Sequence, residues 1–245
     1  MQLSLILPCF NEEANIERVV RDAFAWFKTG GIDGEVVVTN DGSRDRSGEI
    51  LHGLRKEFPY LKVVHHTVNR GYGAALKSAC DSATKEFIAF IDSDGQFKSS
   101  DLHLLLPHLK HFSFVTGYRE HRADPLPRIV NAALYGFLLR TYVGLVVRDV
   151  NCAMKVFRRD LWPKIRPEAT GALFNAEVFL TLQALGIPWK EVPVPHYPRT
   201  AGQQTGAKLS VILRMFRELA HLKRRKNTMA KELRIRNDLL TQRKN

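Results

Sequence analysis

Two acids two residues apart, Asp92 and Asp94, follow the apolar run Phe87-Ile88-Ala89-Phe90-Ile91. In an extended strand, residues i and i+2 face the same way, so this spacing predicts two carboxylates converging on one point at a strand end. Like charges that close are costly unless a cation sits between them. Carboxylate oxygens suit hard ions, and Mg²⁺ or Mn²⁺ keep open positions for phosphate oxygens. Gln96 lies two residues further on and offers a neutral oxygen. The same letters also make a solvated acidic turn, so the pair takes its meaning from its surroundings.

Other acids carry a similar ambiguity. Asp41, in Asn40-Asp41-Gly42-Ser43, reads either as an acceptor for a nucleotide's base or ribose or as turn and cap chemistry. Glu12 is either part of the same site or an acid favoured by a helix N-terminus. Gly71-Tyr72-Gly73 imitates the start of a dinucleotide fingerprint. Leu76 occupies its third small position and no suitable acid follows, which argues against a nicotinamide cofactor. No GxxxxGK[ST], HExxH or GxSxG pattern occurs.

The elements that must position these residues can be read from periodicity. Candidate strands are 3–7, 35–39, 62–66, 86–91 and 112–116, with helix-like stretches near 12–28, 44–57, 73–84 and 100–110. Strand–helix alternation predicts a mainly parallel sheet covered on both faces, with function at the loops after the strands' carboxyl ends. The polar clusters Asn11-Glu12, Asn40-Asp41, Asn69-Arg70-Gly71 and Asp92-Ser93-Asp94 each follow one of the first four strands. Residues 129–147 are apolar nearly all round. Arg140 argues against a membrane span there and for a buried or membrane-lying helix. Residues 208–222 show helical apolar spacing and precede Lys223-Arg224-Arg225-Lys226.

Composition bounds the rest. The 245 residues, 44% hydrophobic, suffice for one α/β domain with a full core. The net charge of +12 is uneven: residues 199–245 hold 13 Lys/Arg against 3 Asp/Glu, so the C-terminus is a basic arm that seeks a polyanion. Cys9, Cys80 and Cys152 form no CxxC, read as buried small residues and fit a reducing cytoplasm. The N-terminus lacks a basic segment before its apolar run and reads as a first strand rather than a signal peptide.

In order, PCFNEE, NDGSRD, NRGYGAAL and DSDGQ resemble the family-2 glycosyltransferases with a GT-A fold. TGYREHR at 116–122, Arg128, GALFNAEVF at 171–179 and VPVPHYPRTAG at 192–202 resemble their polyprenyl-phosphate branch, the dolichyl-phosphate-mannose-synthase-like enzymes. The resemblance covers about residues 3–222. It implies an α/β GT-A fold over 1–206, while spacing and charge give an amphipathic basic helix at 207–226 and a basic tail at 227–245. It implies nucleotide-sugar contacts from Pro8, Phe10, Glu12, Thr39, Asp41, Asp92, Ser93, Asp94, Arg199 and Lys208, and metal ligation by Asp92, Asp94 and Gln96. Arg119, Arg128 and Arg199 match basic positions that grip the acceptor phosphate. With Asp94 they form the implied catalytic set. Phe10 stands where the family often has Tyr, and Asn40 replaces a commonly acidic neighbour.

The implied reaction is inverting transfer of a hexose from GDP-mannose or a UDP-sugar to a polyprenyl phosphate. The phosphate nucleophile is largely deprotonated at pH 7 and needs no general base, whereas a hydroxyl acceptor would need one. The absence of QxxRW disfavours chain elongation. A bilayer-resident acceptor implies an enzyme peripheral to the cytoplasmic face of a membrane, touching an anionic surface directly or through a membrane-protein partner. The alternative enzyme uses a hydroxyl acceptor, with Glu177 as its base. A nucleic-acid-binding protein is the non-enzymatic alternative, and the body lacks the signatures it would need, so nucleic acid is not an expected partner.

Overall fold

The computed structural model describes residues 1–121, 123, 126–171, 173–199 and 219–228. The first half alternates strands and helices: β1 (Gln2–Cys9), α1 (Ile16–Thr29), β2 (Asp33–Asp41), α2 (Ser47–Glu57), β3 (Leu61–His66), α3 (Tyr72–Asp81) and β4 (Phe87–Phe90). The second half adds β5 (Phe114–Arg119), α4 (Leu126–Leu138), β6 (Lys155–Arg158), the short α5 (Trp162–Ile165), α6 (Phe174–Ala184) and β7 (Trp189–Val194). A last helix, α7, spans 219–228.

The seven strands form one sheet in the order β3-β2-β1-β4-β6-β5-β7. β6 pairs antiparallel with both β4 and β5 and the other pairings are parallel, so β6 alone runs the other way. The apolar runs explain the burial of both faces. In β1 and β4, Ile6, Ile88 and Phe90 join the core under α3 and α6, while Leu5, Leu7 and Ala89 join the core under α1 and α2. That is the alternation of a pleated strand. Cys9, Cys80 and Cys152 are buried and unpaired, as small apolar residues would be.

Three expectations change. Residues 99–110 form two 3₁₀ turns, Ser99–Leu104 and Leu106–Lys110, in place of one α-helix. Pro107 cannot donate an N–H, so it starts a new turn and does not continue the old one. The apolar stretch after residue 129 is shorter than its composition suggests. α4 gives way to a π turn, Leu139–Val143, closed by Gly144 in the left-handed conformation at φ 72°. Among the described residues no helix is long and apolar enough to cross a membrane. Finally, β6 and β7 are strands beyond the five predicted. Of the predicted helix 208–222, residues 208–218 lie outside the described residues. Leu219 and Leu222, in α7, are buried in the α3/α6 core.

Candidate active site

β1 lies between β2 on one side and β4 on the other, so chain direction diverges at its carboxyl end, where α/β sheets bind ligands. Two loops are stitched together there. Asn11 takes φ 57°, a conformation Asn tolerates; its N–H donates to Ser43 Oγ (3.0 Å) and its Oδ1 accepts Arg44 N–H (2.8 Å). Glu12 N–H donates to Ser47 Oγ at 2.9 Å. Gly42 sits at φ 69° against the third loop: a Cβ there would lie 2.5 Å from the Asn69 nitrogen, which only glycine avoids.

The acidic pair sits on the other side of β1. The strand ends at Phe90, and Asp92-Ser93-Asp94-Gly95 turns away with Gly95 at φ 77°. The pleat of an extended strand therefore does not juxtapose the two carboxylates; a tight turn does. Ser93 Oγ donates to Pro8 O (2.8 Å), fixing the turn to β1, and Asp94 Oδ1 accepts Gln96 N–H (3.0 Å). Gln96 Nε2 donates to Tyr197 O at 3.2 Å, tying the turn to the segment after β7.

Asp92 is the most perturbed acid of this turn. Burial, then the neighbouring Asp94 charge, push its carboxyl up to about 7. Its Oδ1 is buried and has no hydrogen-bond partner. The Tyr72 hydroxyl lies beside the carboxylate and favours the charged form, as do Arg119 and Lys155 more weakly. Topology brings these cations here. Because β6 runs backwards, its first residue, Lys155, pairs with Phe90 at the end of β4 and with Thr116 of β5. Lys155 is fully buried. Its Nζ donates to the carbonyls of Cys152 and Val150, lies 5.6 Å from the Phe179 ring, and has its pKa lowered to about 8 by burial.

The three predicted arginines fare differently. Arg199 Nη2 lies 2.7 Å from Glu12 Oε1 and its Nη1 3.6 Å from Asp94 Oδ2, so it joins the first loop to the acidic turn. Glu12 is raised by its own burial, against the lowering effect of Asn15 and Arg199. Arg119 forms a two-pronged pair with Asp149, Nε to Oδ2 at 2.6 Å and Nη2 to Oδ1 at 2.8 Å, and both side chains are nearly buried. Arg128 falls in the first turn of α4, and its side chain lies outside the described residues, as does Lys208.

The residues expected to contact the nucleoside are placed as follows. Phe10 is exposed at the rim, while Thr39 is wholly buried, its hydroxyl without a partner. Asp41 is buried and accepts from His66, Arg70 and Gly71. Glu177 is also buried. Its Oε2 accepts the N–H groups of Glu168 (2.8 Å) and Ala169 (3.0 Å), and its Oε1 lies 3.2 Å from His221 Nε2 of α7. Sequence reasoning passed over His66, Tyr72, Asp149 and Lys155. A charge inside the apolar run around Lys155 and a histidine at the end of a buried strand were the available signals.

The two carboxylates, one with an unpartnered buried oxygen, are a donor set that fits a hard divalent ion. Among the described residues no third His, Cys, Asp or Glu completes a protein-only cage.

Several known proteins resemble this chain. A dolichyl-phosphate β-glucosyltransferase of Trichomonas vaginalis is 25% identical over 209 residues, 78% of this chain and 64% of that protein. An undecaprenyl-phosphate 4-deoxy-4-formamido-L-arabinose transferase of Pseudomonas paraeruginosa is 26% identical over 219 residues, 87% of this chain and 63% of that protein. The chain thus spans a little under two thirds of the length of these relatives. Among solved structures, glucosyl-3-phosphoglycerate synthase from Mycobacterium tuberculosis, in complex with Mn²⁺, UDP and glucosyl-3-phosphoglycerate, superposes with a TM-score of 0.67. It shares 21% identity, over 92% of this chain and 79% of that one, which shows a common GT-A fold. The family model described as glycosyl transferase family 2 matches residues 4–166, more than half of the sequence, and this chain belongs to that family.

Proposed function

We propose that the chain is an inverting glycosyltransferase that moves a hexose from a nucleotide-diphosphate sugar to a polyprenyl phosphate at a membrane surface. The observation that carries this reading is the acidic turn at the end of β4. Asp92, buried with an unpartnered oxygen, stands beside Asp94 with Arg199 3.6 Å away. Asp92 and Asp94 would hold Mg²⁺ or Mn²⁺, which would supply charge neutralisation for the departing diphosphate. Arg199 would orient the same diphosphate, and Phe10 and Asp41 would face the nucleoside. Gln96 braces the turn through Tyr197. The names of the two curated relatives support a polyprenyl-phosphate acceptor, and one of them supports a glucosyl rather than a mannosyl donor.

A phosphate acceptor needs no base, which suits this site. The carboxylate required by a hydroxyl acceptor has no good source in Glu177, whose oxygens are committed to Glu168, Ala169 and His221. The surface supports a bilayer as the place of reaction. Leu126, Val130, Leu134 and Phe137 line the outer stripe of α4 and are exposed, and Tyr142 and Val146 extend it. The basic run of α7 adjoins this stripe: Lys223 Nζ lies 4.1 Å from the Tyr142 ring centre and Lys226 Nζ donates to Val143 O at 2.6 Å. An apolar stripe rimmed by cations suits an anionic headgroup layer.

The test incubates a panel of labelled sugar nucleotides with a short polyprenyl phosphate, with and without Mn²⁺. Label in the lipid fraction only with metal is the expected result. Absence of transfer from every donor by folded protein would refute the reading, and transfer to a soluble hydroxyl would favour the alternative acceptor.

A further inference from the structure

The nucleotide-sugar reading leaves the base unnamed, and a buried chain of three side chains bears on it. His66 Nδ1 lies 2.6 Å from Asp41 Oδ1, and His66 Nε2 lies 2.9 Å from Ser78 Oγ. Asp41 ends β2, His66 ends β3 and Ser78 lies on α3, so the chain locks three elements behind the base side of the site. Asp41 also accepts Arg70 N–H on Oδ1 and Gly71 N–H on Oδ2, both at 2.9 Å.

A carboxylate oxygen offers two lone pairs. Oδ1 is therefore filled by His66 and Arg70, and Oδ2 retains a single acceptor position beside Gly71. The side chain is 3% exposed, so it can accept little beyond these bonds. Guanine presents two adjacent donors, a ring N–H and an amino group, that would need both oxygens of a carboxylate. Uracil presents one ring N–H between two carbonyls. A second donor facing a filled oxygen would be buried without a partner, the mismatch that hydrogen-bonding sites reject most strongly.

Resting on the proposed reading of the site, we infer that His66 is a specificity-determining residue: by filling Asp41 Oδ1 it restricts the donor to uridine-type nucleotides and excludes guanosine ones. His66 acts through Asp41 and touches no substrate.

The experiment is calorimetric titration of the full chain, in Mn²⁺, with UDP, GDP and N3-methyl-UDP. UDP should bind at least about tenfold more tightly than either of the others, because a lost or unmatched buried hydrogen bond is worth that much. His66→Phe removes the donor to Oδ1 and should narrow the UDP/GDP ratio severalfold while the Mn²⁺ requirement persists. His66→Asn, which can place an amide N–H near the Nδ1 position, should restore the ratio. The three-ligand contrast uses the unaltered protein, so it stands even if a variant fails to fold. GDP binding as tightly as UDP, or N3-methyl-UDP binding like UDP, overturns the inference while leaving a nucleotide site in place. Failure of every diphosphate to bind overturns the proposed function as well.

Discussion

Arg199 Nη1 lies 3.6 Å from Asp94 Oδ2, and the same guanidinium reaches Glu12 at 2.7 Å. One cation from the segment after β7 thus meets acids from the loops after β1 and β4, far apart in sequence, and both the side chains of Arg199 and Asp94 are largely shielded from solvent. Asp94→Asn removes one charge from the acidic pair. Transfer should fall by on the order of 10²–10³, the usual loss when one electrostatic stabiliser is removed. A radiolabel transfer assay checks this, with circular dichroism showing that the variant is folded. Near-normal transfer would remove Asp94 from the reaction.

Asp92 makes the acidic turn sensitive to pH. Its folded-state pKa is raised to about 7, so the folded protein holds this proton over a range where the unfolded chain has released it. The stability it contributes is full below the ordinary aspartate pKa and is lost as pH rises through about 7. A divalent ion binds only the ionised form, so its stabilising effect should grow in the same direction. Thermal melts should show a larger Mn²⁺-induced rise in Tm at pH 8 than at pH 6, and Asp92→Asn should abolish the difference. An equal rise at both pH values would contradict the assignment of Asp92 as a ligand.

The Arg119–Asp149 pair is buried and two-pronged. Replacing Arg119 by Ala removes the two-pronged partner of a largely buried carboxylate and should cost about 3–5 kcal/mol in stability. The double variant with Asp149→Ala should recover part of that loss. Urea unfolding of the four proteins in the cycle measures it. Additive losses would mean that the two side chains do not act as a unit.

Glu177 is assigned to the fold rather than to proton transfer. Glu177→Ala removes the acceptor of the part-buried N–H groups of Glu168 and Ala169 and should destabilise the protein by about 1–3 kcal/mol. Glu177→Gln retains an acceptor and should keep transfer within a fewfold of the parent. A loss of 10² or more in the Gln variant, with the melting temperature preserved, would restore Glu177 as a base at about the magnitude expected for general-base catalysis.

Membrane contact can be checked apart from catalysis. Changing Lys223 and Arg224 to Gln should lower partition onto vesicles containing anionic phosphatidylserine by roughly fivefold per charge, since each cation near such a surface contributes on the order of 1 kcal/mol. Phe137→Ser should weaken partition at all salt concentrations, whereas the basic variants should differ from the parent mainly at low salt. Flotation unaffected by any of these would place the contact elsewhere.

Much of the fold was legible because strands and helices of the first half declare themselves by period. Val36-Val37-Val38 and Leu5-Ile6-Leu7 are apolar on both faces, as a central parallel strand must be. The second half was less legible. β6 has only four residues, Lys155–Arg158, with a charge at each end, and its direction depends on which neighbours it meets. Pro107 broke a helix whose apolar spacing was otherwise sound.

The order and types of the polar clusters were enough to name the family and to single out Asp92 and Asp94. These features are local: a loop after a strand places its acids wherever the strand ends. Tertiary structure alone decided how each group is paired. It placed Arg119 against Asp149, Glu177 against two backbone N–H groups, and His66 behind Asp41. Each pairing joins residues separated by between 8 and 30 positions. Side-chain type states what a group can donate or accept. Only the folded chain determines which partner reaches it first, and how much of its capacity remains for a substrate.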